Sequence, residues 1–194
     1  MTHVRRWLPL ACATVLVACD QPMQPATPEI QPEYSFNFGP STLGLGQIDL
    51  TTANAGFAKL LLFATTLPNG SAVGSFYQYR EIAGLTSEFW GQVDCLSVDP
   101  VNRRAWIAGT IVKNNSTHPA AQVDTLHMPG MDVWFRVVDY TQGHQQPQPD
   151  RSTVLGFRLS AGIVTSAEYC ATRPWPVGDA RTFPISSGSI RVSP

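Results

Sequence analysis

The chain has 194 residues, a formal net charge of −1 and only 14% charged residues. This length suits one domain with its own core, together with short flanking segments. The sequence has no basic surplus and no run of Lys or Arg longer than a pair. The composition therefore argues against nucleic acid as a partner.

The N-terminal residues have the layout of a secretory signal peptide. Residues 1–6 carry two cations and no acid, and residues 7–18 are almost entirely apolar or small. This apolar stretch is shorter than the roughly 20 residues that a membrane-spanning helix needs. We therefore predict a lipoprotein-type signal peptide over residues 1–18 that is removed on export.

The signal ends in Leu16-Val17-Ala18-Cys19, which resembles a bacterial lipobox. The resemblance implies that the Cys19 thiol is acylated, with palmitate or a similar chain. More than one acyl chain makes a stable membrane anchor, so the expected partner is a membrane, reached through lipid on Cys19. The alternative is an ordinary signal peptide that happens to contain a cysteine. The domain would face the periplasm or the cell exterior, and Asp20 leaves the choice between inner and outer membrane open.

Residues 19–33 are predicted to be an extended tether. Prolines at positions 22, 25, 28 and 32 favour polyproline geometry and prevent a packed core. Residues 34–194 then form a single domain. Loss of Arg5 and Arg6 with the signal leaves eleven Lys and Arg against fourteen Asp and Glu, a mature charge of −3.

The domain consists of short β-branched and aromatic runs separated by Gly, Pro and Asn, which is typical of strands. Residues 34–38 and 72–80 alternate between apolar and polar side chains, and residues 45–50 form another run. Residues 57–65 are apolar for longer. They could be a strand or a helix, because Phe57, Leu60 and Leu61 would share one side of a helix.

The clearest hairpin joins residues 88–98 to residues 104–112 through the turn Asp99-Pro-Val-Asn102. Phe89, Val93 and Cys95 are predicted to share a face of its first strand.

Residues 132–139 are predicted to form a further strand. Its alternation points Val133, Phe135 and Val137 one way, and Asp132, Trp134, Arg136 and Val138 the other. Residues 153–159 and 181–192 supply two or three more strands. Eight or nine short strands predict an all-β fold, either an antiparallel β-sandwich or a small β-barrel.

Two of the four cysteines stay in the predicted domain, since Cys12 lies in the signal and Cys19 is the lipid site. Cys95 and Cys170 are an even pair in an oxidising compartment, which favours a disulfide. Two separate buried thiols are the alternative. Zinc is disfavoured, because neither cysteine has a second Cys or His at ligand spacing.

Several segments together resemble an uncharacterised group of exported bacterial β-rich proteins. They are Gly91-Gln-Val-Asp-Cys-Leu-Ser-Val98, Arg104-Ala-Trp-Ile-Ala-Gly109, Val133-Trp-Phe-Arg-Val-Val-Asp139, Gly143, Asp150 and Tyr169-Cys170. The resemblance spans about residues 70–172. It supports the strand assignment and implies the pairing of Cys95 with Cys170, and it carries no activity.

Several side chains could carry chemistry. Asp132, Asp139 and Asp150, with His144, surround one strand and its following loop and are weak candidates for a calcium site. Aromatic side chains in strands, Trp90, Trp106 and Trp134, could stack on sugars, although we expect them to fill the core. A buried Arg136 needs a partner, and Asp94 or Asp139 could form a structural ion pair with it.

The sequence lacks a Gly-x-Ser-x-Gly motif, a His-Glu-x-x-His motif and a phosphate-binding glycine loop. We therefore expect a lipid-anchored envelope protein that is a non-catalytic binding or structural module without a cofactor. An envelope protein or a glycan is the conceivable partner. A carbohydrate- or small-ligand-binding module and a hydrolase stay as alternatives, the first predicting an aromatic cleft and the second converging polar groups.

Overall fold

The computed structural model describes residues 39–50, 56–140 and 148–194. The predicted signal, Cys19, the tether, the strand over residues 34–38 and His144 lie outside these residues. The strands are β1 Ser41–Leu50, β2 Gly56–Thr66, β3 Ala72–Ile82, β4 Leu85–Asp99, β5 Arg104–Asn114, β6 Asp132–Val138, β7 Arg151–Ser152, β8 Gly156–Phe157 and β9 Phe183–Ser193. The α-helices are α1 Pro119–Val123 and α2 Ser166–Thr172, with 3₁₀ turns at Thr125–His127 and Ser160–Gly162.

Eight of the strands close into an antiparallel barrel. Strands β1 to β6 pair in chain order, β6 continues to β7, β7 pairs with β9, and β9 returns to β1. The short strand β8 adds to β6 outside this ring. The all-β prediction is confirmed, and of its two architectures the structure is the barrel.

Burial along β2 decides between helix and strand for the ambiguous apolar run. Ala58, Leu60 and Leu62 are fully buried, whereas the alternate residues Leu61 and Phe63 are exposed. A period of two residues is that of a strand with one face inward. The run is therefore a wall of the barrel and not a helix.

Apolar side chains fill the barrel interior. The inward residues form one cluster that includes Leu60, Phe76, Phe89, Ile107 and Phe135. A pocket beside Gln78 and Arg80 has a volume of about 20 Å³, enough for about one water molecule. An eight-stranded barrel is just wide enough for its own side chains. The described barrel core is therefore occupied by its own side chains.

Two buried carboxylates complete the barrel where β9 extends past β7. The Asp150 carboxylate accepts hydrogen bonds from the backbone N–H of Ile190 at 2.7 Å and of Tyr140 at 2.8 Å. The Asp139 carboxylate accepts one from the N–H of Val192 at 3.1 Å. These side chains supply acceptors that a neighbouring strand would otherwise provide. We call this part of the barrel the seam.

The hairpin β4–β5 is confirmed, but Cys95 lies on the other face of β4 from the one predicted. The pairing register shifts between Val93 and Cys95, so a β-bulge lies at Asp94. Phe89 and Val93 point into the barrel, whereas Cys95 contacts a second cluster on the outer surface. The prediction that Cys95 shares their face is wrong, because the extra residue of a bulge reverses the alternation beyond it.

A second, smaller core covers the outside of β5 and β6. Trp106, Ala108 and Trp134 point outward from these strands and pack with Ile163 and Tyr169. The faces predicted for residues 132–138 are confirmed, since Val133, Phe135 and Val137 lie in the barrel core. The aromatic residues that point outward are buried by a covering segment and not by the barrel interior.

An exposed apolar patch lies on the opposite outer surface, across β1 and β2. In the strand register Leu43 stands opposite Phe63, and Leu45 stands opposite Leu61. All four side chains are at least 45% exposed. We call these four residues the apolar wall. None of the helices in the described part of the chain has the length and apolar character of a membrane-spanning helix.

Candidate functional site

Residues 160–182, which we call the cap, lie against the outward side chains of β5 and β6. The Trp106 indole donates to the carbonyl of Pro174 at 2.9 Å, and Arg104 donates to the carbonyl of Pro176 at 2.5 Å. The Arg136 guanidinium donates to the carbonyl oxygens of Trp175 and Ala180. The barrel wall therefore fixes the irregular half of the cap through its backbone.

These contacts correct the expectation for Arg136. The side chain is fully buried, yet it donates to carbonyl oxygens of the cap and not to Asp94 or Asp139. Asp139 instead lies 3.6 Å from Arg103, and Asp94 accepts a hydrogen bond from Thr110. Burial lowers the pKa of Arg136. Sequence spacing could not find these acceptors, because they are backbone atoms about 40 residues away.

Helix α2 carries the other half of the cap, and its sequence explains its bounds. Thr165 caps the helix by accepting from the N–H of Glu168, while the Glu168 carboxylate accepts from the N–H of Val164. This Thr-x-x-Glu spacing resembles a capping box. The helix ends at Arg173, which has a left-handed φ of 46° and precedes a proline.

The cysteine pair joins α2 to the barrel wall. Cys95 and Cys170 lie at disulfide distance, with their Cα atoms 6.3 Å apart, inside the range that a disulfide allows. Cys170 directly follows Tyr169, whose ring packs against the wall. The link therefore holds the helical half of the cap against β4.

A cavity of about 160 Å³ lies between β6 and the cap. Its lining includes Trp134 from β6, Leu155, Ser160 from a 3₁₀ turn, and Tyr169, Trp175 and Arg181 from the cap. An added Cβ on Gly156 would lie 2.7 Å from Trp134 Nε1, so only glycine lets the chain pass this close. A cavity of about 150 Å³ can hold benzene, so this one has room for a single ring.

The stretch between β7 and β8 forms one side of the cavity. Residues 153–159 were predicted to be one strand, but only the pair Gly156–Phe157 is extended and paired there. Thr153 exchanges hydrogen bonds with the backbone of Arg136, and the N–H of Leu155 donates to the buried Gln78 amide at 2.7 Å. These bonds from other strands replace a regular ladder and hold the segment beside the cavity.

Two buried polar groups face the cavity without a partner. Trp134 is 3% exposed and Tyr169 is 1% exposed, and their rings stack with centroids 5.7 Å apart. Within the described residues, neither the indole N–H nor the phenol hydroxyl has a hydrogen-bond partner. Neither atom is among the fully enclosed polar atoms that lack a partner. Since both residues line the cavity, these two groups are the candidates there for hydrogen bonds to a ligand.

Burial also fixes the protonation of Tyr169. Desolvation strongly raises the pKa of its phenol, against a smaller opposing effect of the nearby Arg136 cation. The hydroxyl is therefore neutral at physiological pH and can donate a hydrogen bond into the cavity.

Arg181 places a cation at the mouth of the cavity. Its guanidinium lies 4.8 Å from the centroid of the Trp175 ring, and its side chain is exposed. No carboxylate of the described residues lies within ion-pair distance of it. Asp179, the nearest acid in the sequence, pairs with Arg151 at 3.5 Å. Trp175 and Arg181 both have left-handed backbones, with φ of 54° and 62°. Such conformations in residues other than glycine cost energy and concentrate at functional sites.

The predicted metal candidates do not come together. Asp139 and Asp150 lie at the seam, whereas Asp132 begins β6 at its other end and accepts from the N–H of Ser166. Within residues 39–50, 56–140 and 148–194, no group of three or more His, Cys, Asp or Glu side chains is arranged to hold a metal ion. The carboxylates at the seam accept hydrogen bonds from backbone N–H groups.

The three tryptophans singled out from sequence have different environments. Trp106 and Trp134 are buried, as expected, but beneath the cap, and only Trp134 lines the cavity. Trp90 is 42% exposed on the outer wall, with its ring 4.4 Å from that of Tyr77. Sequence reasoning missed Trp175. The triplet Pro174-Trp-Pro176 was the available signal, because a large aromatic between two prolines is held in a rigid, non-helical segment.

Comparison with known proteins finds no matching family model, no matching curated protein and no matching solved structure.

Proposed function

We propose that this chain is a lipid-anchored protein of the cell envelope that acts as a non-catalytic binding module. Its small ligand would occupy the cavity between β6 and the cap. The anchoring rests on the lipobox that ends at Cys19, and the disulfide-distance pair of Cys95 and Cys170 fits an exported protein. Because apolar side chains fill the barrel interior, we place the ligand on the outer surface.

One observation carries the proposal of binding. Trp134 and Tyr169 are both buried and line the same cavity, and neither the indole N–H nor the phenol hydroxyl has a partner among the described residues. Both donors therefore keep hydrogen-bonding capacity that no acceptor of the described residues uses. A ligand that supplies acceptors would use it.

The lining favours binding over hydrolysis. Ser160 is the one serine among the lining residues, and its hydroxyl donates to the carbonyl of Phe157 at 2.5 Å. The described residues of the lining include no histidine, aspartate or glutamate that could act as its base. A hydrolase would need such a base beside the nucleophile.

A stacked sugar is also less well supported than a smaller ligand. Each aromatic ring of the cavity already has one face covered, Trp134 by Tyr169 and Trp175 by Arg181. Sugar-binding platforms present open aromatic faces to solvent. The volume of about 160 Å³ fits one small ring and not a chain of sugars.

Ligand-observed NMR on the purified exported protein would test binding, with benzyl alcohol, benzamide, benzoate and cyclohexanecarboxylate as probes. At least one probe should bind the wild type, and Ser160→Phe, which fills the cavity, should abolish its signal. Ser189→Phe is the matched control, because Ser189 lies exposed on β9. Failure of all four probes would refute a ring-sized binding site.

Intact-mass analysis tests the anchor separately. The wild type should carry the added mass of acyl chains on a chain that begins at Cys19, and Cys19→Ala should lack them. A wild-type protein without added lipid mass would refute the anchoring.

A further inference from the structure

The polar groups of the cavity have a common chemical character. The Trp134 indole is a donor only, the Arg181 guanidinium is a cation with five donors, and the neutral Tyr169 hydroxyl has no acceptor to donate to within the described residues. These groups call for an acceptor-rich partner, and the cation calls for a negative one.

The charges beneath the cavity point the same way. Arg136 lies on the same face of β6 as Trp134, and its fully buried guanidinium donates to carbonyl oxygens of the cap. Asp179, the one acid in residues 173–182, pairs with Arg151 and accepts from the Tyr140 hydroxyl at 2.6 Å. Arg181 therefore supplies a cation to the cavity lining, while the acid of this segment is engaged elsewhere.

The remaining surface of the cavity is apolar. Val154, Leu155 and the aromatic residues Trp134 and Trp175 are its large apolar lining residues. A bare inorganic anion would leave this surface uncovered, whereas a ring-sized apolar body would bury it. The donors and the cation then meet one end of the bound molecule.

We infer that the cavity takes a small organic carboxylate, a monoanion with an apolar body about one ring in size. The body lies against Trp134 and Leu155, and the carboxylate accepts hydrogen bonds from the Tyr169 hydroxyl and the Arg181 guanidinium. A planar carboxylate suits the fork of the Arg181 guanidinium, which lies 4.8 Å from the centroid of the Trp175 ring. This inference rests on the proposed function and names the class of ligand for the same site.

Isothermal titration of the exported protein with three probes tests the inference. Benzoate has the ring and the charge, benzamide has the ring without the charge, and inorganic phosphate has charge without a ring. Benzoate should bind at least about tenfold more tightly than benzamide, because bonds to a charged acceptor are about twice as strong as neutral ones. Phosphate should bind more weakly than benzoate by a similar factor.

Two arginines that stack on tryptophans provide a matched pair of variants. Arg181→Gln should remove most of the preference for benzoate over benzamide, because it removes the cation that lines the cavity. Arg173 lies 5.9 Å from the Trp106 ring and does not line the cavity, so Arg173→Gln should keep the preference. Tyr169→Phe should weaken benzoate severalfold, since it removes the hydroxyl and keeps the stacked ring.

The outcomes distinguish failure of the carboxylate inference from failure of the proposed binding function. If benzamide binds the wild type as tightly as benzoate, the carboxylate inference is wrong and the binding module stands. Equal or tighter binding of phosphate would also overturn the inference, because the apolar body would then contribute nothing. If none of the organic probes binds, the binding function and the inference fail together.

Discussion

Removal of the Asp150 carboxylate should open the seam of the barrel. The side chain is 2% exposed and accepts from two backbone N–H groups, those of Tyr140 and Ile190. Asp150→Ala leaves both donors without this acceptor, at about 1–3 kcal/mol each. We expect a loss of about 3 kcal/mol in the free energy of unfolding, after water satisfies part of the deficit.

Urea unfolding followed by tryptophan fluorescence would measure the loss, with the disulfide intact in every variant. Asp150→Asn keeps one acceptor oxygen and should lose about half as much. Asp49→Ala is the control, because Asp49 is exposed on β1 and, among the described residues, accepts only from the Gln47 side chain. It should stay within about 0.5 kcal/mol of the wild type. A loss below about 1 kcal/mol for Asp150→Ala would refute the role of the carboxylate at the seam.

Three further predictions concern the core, the disulfide and pH. In urea unfolding, Leu62→Ala should lower the free energy of unfolding by about 3 kcal/mol because Leu62 is fully buried, whereas Leu61→Ala on the same strand should lower it by about 0.5 kcal/mol or less. Equal losses would contradict the assignment of Leu62 to the inward face of β2. Replacing Cys95 and Cys170 together by alanine should cost about 4 kcal/mol in the chain-entropy model for a separation of 75 residues, and dithiothreitol should then have no further effect on the unfolding midpoint. The folded state raises the pKa of Tyr169 above its unfolded value, so the associated stability is present below pH 10 and is lost as pH rises beyond it. Tyr169→Phe should therefore make the thermal midpoint fall less steeply above that pH. An unchanged slope would argue against a buried phenol.

The elements that the sequence predicts well are those decided by neighbouring residues. The hairpin β4–β5 follows from two apolar runs around a turn at Asp99–Asn102, and the alternation of β6 correctly separates Phe135 from Trp134. The strand character of 72–80 follows in the same way, with the observed strand ending at Ile82. In each case the period of two is visible within about ten residues.

Closure of the sheet could not be predicted by the same reasoning. A sandwich and a barrel have the same alternation along each strand, and the pairing of β1 with β9 joins residues about 140 positions apart. The bulge at Asp94 has no clear signature in sequence, yet it turned Cys95 to the outer surface. The helix α2 was missed, because its seven residues are too few to display a helical period.

The candidate site was predicted only in part. The sequence singles out Trp134 as an aromatic residue in a strand and Arg136 as an arginine that needs a partner when buried, and both lie under the cap. The partners that give them a role, Tyr169, Trp175 and Arg181, come from 35 to 47 positions further along the chain. These residues come together only because the cap folds back over β6, and no local sequence pattern predicts that arrangement.

Closure of the barrel also limits how this domain can recognise another protein. Strands β1 to β5, the longest continuous part of the wall, are each paired on both sides. A partner therefore cannot extend this part of the sheet by adding a strand of its own, which is a common mode of peptide recognition. Recognition there has to use side chains, and the apolar wall of Leu43, Leu45, Leu61 and Phe63 supplies the most hydrophobic ones. Strands β1 to β5 thus display an apolar surface without offering the open edge through which sheets aggregate.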